Sequence, residues 1–162
     1  MRNDDVIKSI RYTLDINDVA IAKILKLSGY QPTREEIAEI FSDQPEQVET
    51  IDGRIVEKDV SHKLTAHFLD GLIIYRRGKN DKHPPQPIKV PVTNNMVLKK
   101  LRVAFKLREG DILDILKSVD FPVSKTELSA LFRADDHRNY RHCGDQLLRY
   151  FLKGLTLRFR KE

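Results

Sequence analysis

The densest group of ligating and nucleophilic side chains in the sequence is Asp135, Asp136, His137, His142, Cys143 and Asp145. Together these supply every ligand type zinc uses. A structural zinc site, however, pairs its ligands at short spacing, typically two Cys followed by two His three to five residues apart. His137 and His142 stand five apart with a single Cys and no second pair, so loop caps and one small buried thiol account for the group without a metal. Cys143 beside His142 offers a nucleophile and a base, but neighbours on a regular element point in different directions. A distant His62, His67 or His83 would have to approach instead. A helix starting just after Cys143 would lower the thiol pKa, and Asp145 suits the cap or N-terminal charge of that helix. No glycine-rich oxyanion or phosphate loop accompanies these residues. The expectation is a chain that is not an enzyme and carries no metal and no cofactor.

The other chemistry available is electrostatic. Residues 1–80 hold 12 Lys and Arg against 14 Asp and Glu, and residues 81–162 hold 17 against 10. Asp81 is the one acid between Asp70 and Glu109. That interval contains Arg76, Arg77, Lys79, Lys82, Lys89, Lys99, Lys100, Arg102, Lys106 and Arg108. Ten cations against one acid is the sequence's strongest functional hint, because a basic band contacts nucleic-acid phosphates through charge and counterion release without reading bases. Arg149, Lys153, Arg158 and Arg160 near the C-terminus extend the same chemistry. The surface expected to meet RNA or DNA is therefore Arg76, Arg77, Lys79, Lys99, Lys100, Arg102, Lys106, Arg108, Arg149, Lys153 and Arg160, forming one continuous patch. The competing expectation is a protein adaptor or homodimer, in which the acidic face Glu35, Glu36 and Glu39 docks on that band and consumes it.

The elements that must position these groups are written twice. Phe68-Leu69-Asp70-Gly71-Leu72 returns as Phe151-Leu152-Lys153-Gly154-Leu155, and residues 3–41 align with 94–132 without a gap. Identities across that alignment include Arg11/Arg102, Ile24/Ile115, Glu36/Glu127 and Phe41/Phe132. Each copy reads as a compact tri-helical, helix-turn-helix-like unit followed by a longer fourth helix. Asn3 is expected to cap the first helix and Asn17 the second. Thr33 with Glu36, and Ser124 with Glu127, are expected to form capping boxes at the start of the third helix of each copy. A hairpin is expected around Asp52-Gly53, and the corresponding loop of copy two, 133–144, is eight residues shorter. Gly71 and Gly154 inside helices predict close backbone packing against a neighbour. In copy two, Lys99, Arg102 and Lys106 are expected to share a solvent face.

These readings divide the chain into a first helical repeat at 1–78, a Pro-rich linker at 79–93 and a second repeat at 94–162, all-α in class. The four prolines of the linker favour an extended strap, and Pro84 to Pro87 has the spacing used by proline-binding modules. No apolar run approaches the ~18 residues that span a bilayer, so no membrane partner is expected. With acids in Met1-Arg2-Asn3-Asp4-Asp5 and a lone cysteine, the expected compartment is the cytoplasm.

The tandem plan, the Asn-Asp or Asn-Asn start of each copy, and the run from Asn139 to Leu155 resemble the YehS-like bacterial family. Its members carry two copies of a domain of unknown function, DUF1456. The resemblance covers essentially the whole chain and implies a soluble, helical, bacterial protein. It supplies no activity to carry over. Copy one departs from the pattern at Val60-Ser61-His62-Lys63, where Cys143-Gly144-Asp145 has no counterpart.

Overall fold

A computed structural model describes residues 1–42, 44, 46–79 and 87–160. Copy one contains α1 (Asn3–Leu14), α2 (Asp18–Leu27), α3 (Arg34–Phe41), β1 (Gln47–Glu49), β2 (Ile55–Glu57) and α4 (His62–Arg77). Copy two contains α5 (Asn94–Ala104), α6 (Glu109–Ser118), α7 (Lys125–Leu131) and α8 (Asp145–Phe159). The described chain is thus helical apart from one antiparallel hairpin, in which Val48 pairs with Val56. Pro84 to Gln86 of the PxxP segment, and Lys82, lie outside the described residues.

Local chemistry sets most boundaries. Asn17 accepts from the Ala20 N–H and caps α2. Thr33 and Glu36 form the full reciprocal capping box on α3. The second box is half made: Ser124 accepts from the Glu127 N–H, while the Glu127 carboxylate accepts from the Ser124 hydroxyl and not from the backbone. The expectation for Asn3 is corrected. The residue before α1 is Arg2, which makes no side-chain cap, and Asn3 is buried inside the first turn. Its Nδ2 donates to the Val60 carbonyl at 2.9 Å, and Asn94 donates to the Cys143 carbonyl at 3.0 Å. The repeated asparagine therefore ties the first helix of each copy to the entry of the fourth.

Packing between copies is reciprocal. α1 lies along α8, with the Met1 amine 2.6 Å from Asp145 at one end and the Thr13 and Thr156 hydroxyls 2.7 Å apart near the other. α5 lies along α4 in the same sense, from Val92 N–H on His62 Nδ1 at 3.0 Å, through Lys100 on Asp70 at 2.7 Å, to Arg76 on the Ala104 carbonyl at 3.1 Å. The first helix of each copy thus packs on the last helix of the other, and the four helices run parallel around a pseudo-two-fold axis. Val6, Ile10, Phe68 and Leu72 of copy one and Val97, Leu101, Phe151 and Leu155 of copy two belong to a single apolar core.

α2 and α6 cross the outer faces of α4 and α8 at the two helical glycines. A Cβ on Gly71 would sit 1.9 Å from the Ile24 carbonyl oxygen, and one on Gly154 would sit 2.5 Å from Ile115 Cγ2 and 2.7 Å from its oxygen. The glycines cost helix propensity, about 1 kcal/mol each, and the close approach of two backbones is what they permit. Gly71→Ala must displace a helix backbone, so urea denaturation is expected to show a destabilisation of about 2–3 kcal/mol. A neutral or stabilising effect would refute the packing.

Asp4 is buried beneath Arg2, whose Nε and Nη2 donate to its two oxygens at 3.0 Å, with Lys8 at 3.6 Å. Burial alone would raise its pKa, but the Arg2 hydrogen bonds and charge, aided by Lys8, hold it below the usual carboxylate value of 3.8. A depressed folded pKa gives stability that is complete above that value and drains as pH falls through the lower folded one. Asp4→Asn is therefore expected to lower stability at neutral pH and to flatten the fall in stability below about pH 4, read by denaturant titration across pH. An unchanged acid slope would exclude Asp4 as a source.

Candidate nucleic-acid interface

The parallel direction of α1, α4, α5 and α8 decides what the basic residues meet. Each helix carries the equivalent of about half an elementary charge at its ends, positive at the N-terminus and negative at the C-terminus. Four aligned C-termini therefore gather at one end of the molecule, where the last carbonyls have lost their partners four residues on; Tyr12 O and Val103 O accept turn bonds from the Asp15 and Lys106 N–H groups and keep a second lone pair open. Guanidinium groups fill that need. Arg76 Nε donates to Ala104 O at 3.1 Å, Arg77 Nη1 to Val103 O at 3.4 Å, and Arg160 Nη1 to Tyr12 O. Arg77 and Arg160 are equivalent positions of the two copies, and so are Val103 and Tyr12, so this bond is repeated about the pseudo-axis.

Several of the expected phosphate-binding cations thus have structural roles. Arg76 also stacks over Phe105 at 4.3 Å, and Phe105 packs against Phe159 at 4.8 Å where α4, α5 and α8 meet. Burial there pulls the Arg76 pKa down. Arg160 stacks over Tyr12 at 3.8 Å. Arg158 is held by Asp111 at 3.0 Å. Lys100 is paired with Asp70.

Arg102 is also committed. Its guanidinium lies 4.6 Å above the Phe132 ring, as Arg11 lies 4.5 Å above Phe41. That explains why both residues of each pair are identical across the copies: the stack fixes the third helix against the first, an interaction worth about 1 kcal/mol at a half-exposed site. The expected shared face of Lys99, Arg102 and Lys106 is not formed. Lys106 lies beyond the end of α5 at a left-handed φ of 54°, and Arg102 is turned onto its ring.

The other cations, and Arg77 apart from its one long bond, are exposed and unpaired among the described residues. Arg77, Lys79 and Lys106 lie at the ends of α4 and α5, where the Arg77 guanidinium and the Lys106 backbone N–H share the Val103 carbonyl, and Arg108 follows two residues after Lys106 as the N-cap of α6. Lys99 lies on α5, and Arg149 and Lys153 lie on α8. Among the described residues none of these seven has a carboxylate within ion-pair distance. Within the chain, the acidic face of α3 does not meet them. Glu39 pairs with Lys58 at 2.6 Å, Glu36 accepts from the Tyr30 hydroxyl, and α3 packs on α1 and α2 of its own copy.

The group around Cys143 is structural in its contacts. Its backbone N–H donates to Asn95 Oδ1 at 2.8 Å, and Asn95 Nδ2 donates to the Leu131 and Arg141 carbonyls. Asn95 thereby clamps the loop that precedes α8. Asp145 is the first residue of α8 and accepts from the Met1 amine and from Asn94. These two donors hold its pKa below the usual range. His137 accepts from the Asn139 N–H, and among the described residues no three His, Cys, Asp or Glu side chains converge as a metal site would need. The expectation of a lowered thiol pKa is corrected. Cys143 is fully buried, and burial followed by the charge of Asp145 pushes it up to about 11, outweighing the helix N-terminus. The folded protein should accordingly react with a thiol reagent at mildly alkaline pH about 100-fold or more slowly than free cysteine, and at the free rate after unfolding. Rapid modification of the folded chain would contradict this burial.

The described residues contain no helix long and apolar enough to cross a membrane. A family model described as "Protein of unknown function (DUF1456)" matches twice, over residues 3–78 and 94–161. The uncharacterized protein YehS of Escherichia coli (strain K12) is 41% identical over 158 residues, covering 98% of this chain and 96% of that protein. No solved structure matches.

Proposed function

The chain belongs to the DUF1456 family of proteins of unknown function, and on that premise we propose that it is a non-enzymatic cytoplasmic protein that binds RNA or DNA through its phosphates. The observation that carries this reading is the exposed cluster of Arg77, Lys79, Lys106 and Arg108. Arg77, Lys79 and Lys106 stand at the C-terminal ends of two parallel helices and Arg108 at the start of α6, and none of the four side chains makes an ion pair among the described residues. Lys99, Arg149 and Lys153 add exposed charge on the flanks of α5 and α8. Arg76, Lys100, Arg102 and Arg160 hold the copies or their helices together and so give the surface its shape without facing the ligand.

Such a surface has no base-reading element. Its affinity comes from releasing the counterions condensed on the phosphates, so it falls steeply with salt and discriminates weakly between sequences. The four negative helix poles beneath the cluster weaken its field, which predicts modest affinity for a single binding region.

The test is binding of labelled duplex DNA and structured RNA over a salt series. Log affinity is expected to fall linearly with log salt. In the triple variant Arg77→Glu, Lys106→Glu, Arg108→Glu, binding is expected to weaken at least tenfold, with the slope shallower by about 0.9 for each DNA phosphate that is no longer neutralised. Arg149→Glu with Lys153→Glu serves as the comparison on α8. Absence of binding at low salt, or a triple variant with an unchanged slope, would overturn the reading.

A further inference from the structure

Copy one carries two apolar surfaces that its own chain leaves uncovered. The first is the β1–β2 hairpin. Ile51 at its tip is fully exposed, Ile55 is 72% exposed, and Val56 is partly so. The second is the groove between α2 and α3, about 690 Å³, lined by Val19, Ala22, Pro32, Ile37 and Phe41. Val19 on its wall is itself 72% exposed. The hairpin does not fold over this groove, since apolar side chains on both stay in solvent.

The hairpin is not a by-product of connecting α3 to α4. Copy two makes the equivalent connection with eight fewer residues and, among the described residues, no strand. A two-stranded ribbon of three-residue strands has little stability of its own and gains it by packing on something. Its base is fixed: Lys58 reaches Glu39 on α3, and Arg2 donates to the Glu57 and Lys58 carbonyls. The hairpin and the groove therefore both flank α3. An assembly in which the hairpin of each chain covers the groove of the other is isologous, so it closes at two.

Charge agrees with that pairing. The exposed hairpin acids Glu46 and Glu49 have no ion pair among the described residues, and the groove lining carries the exposed cations Lys26 and Arg34 against one exposed acid, Asp18, so its net charge is positive. We propose that a second copy of this chain is the occupant: Ile51 and Ile55 of each hairpin insert into the partner's α2–α3 groove, with Glu46 and Glu49 meeting Lys26 and Arg34. This surface belongs to copy one and is independent of the basic cluster at the ends of α4 and α5.

Sedimentation equilibrium of the full chain over a concentration series tests the proposal. A monomer–dimer equilibrium is expected. Ile51→Asp with Ile55→Asp should lower the association constant at least about tenfold while leaving circular dichroism and the melting temperature of the dilute protein unchanged, because these side chains are solvent-facing in the single chain. Lys26→Glu with Arg34→Glu should weaken association in the same way. Adding Glu46→Lys with Glu49→Lys to that variant should restore it. A wild-type chain that stays monomeric throughout, or a dimer indifferent to the hairpin substitutions, would overturn the proposal. Failure of the combined charge reversal to restore association would overturn the groove as the seat.

Discussion

Four helices that point the same way create the main electrostatic problem of this fold. Their dipoles add, so one end of the molecule gathers the equivalent of about two positive charges and the other about two negative ones. The sequence answers at both ends. Asp59 accepts from the Asn3 and Asp4 N–H groups, and Asp145 binds the Met1 amine where the N-termini meet. Arg76, Arg77 and Arg160 donate to last-turn carbonyls where the C-termini meet. An uneven distribution of charge along the chain is therefore first a requirement of helix direction, and only the cations that stay exposed, Arg77 among them despite its long bond to Val103, are available to a ligand.

The same direction explains why the outer helices sit where they do. With α1, α4, α5 and α8 parallel, α2 and α3, or α6 and α7, must carry the chain back across the outside before the next long helix begins. α2 and α6 make that return against Gly71 and Gly154, where backbone meets backbone. The Arg11–Phe41 and Arg102–Phe132 stacks pin the third helix of each copy to its first. Each copy supplies half of a central square and one outer wrap, and the apolar core is continuous across both.

Much of this was legible in the residues. Capping signals at Asn17 and Thr33 marked helix starts, Asp52-Gly53 marked a hairpin, and the repeated glycine inside two apolar stripes announced a close crossing. What was not legible is which cation is spent. Arg160 meets Tyr12 across 148 positions, and Lys100 meets Asp70 across the two copies. A charge count along the chain sees neither. Spacing on α5 placed Lys99, Arg102 and Lys106 together, but an aromatic ring on another helix claims Arg102, and α5 ends before Lys106, which takes a left-handed conformation. The thiol of Cys143 shows the same limit, since helix position argued for a lowered pKa and burial prevailed.

Reciprocal packing about a pseudo-two-fold axis also changes what each surface is allowed to become. Two identical single-copy chains associated in this way would have to present every outer residue twice, once per half. Joining the halves in one chain keeps the shared core, with its paired Ile24 and Ile115 and its paired glycines, under the old constraint. It releases the exterior from it. One half can then be acidic and bear a hairpin, and the other basic with a short loop, while the joint that holds them stays symmetric.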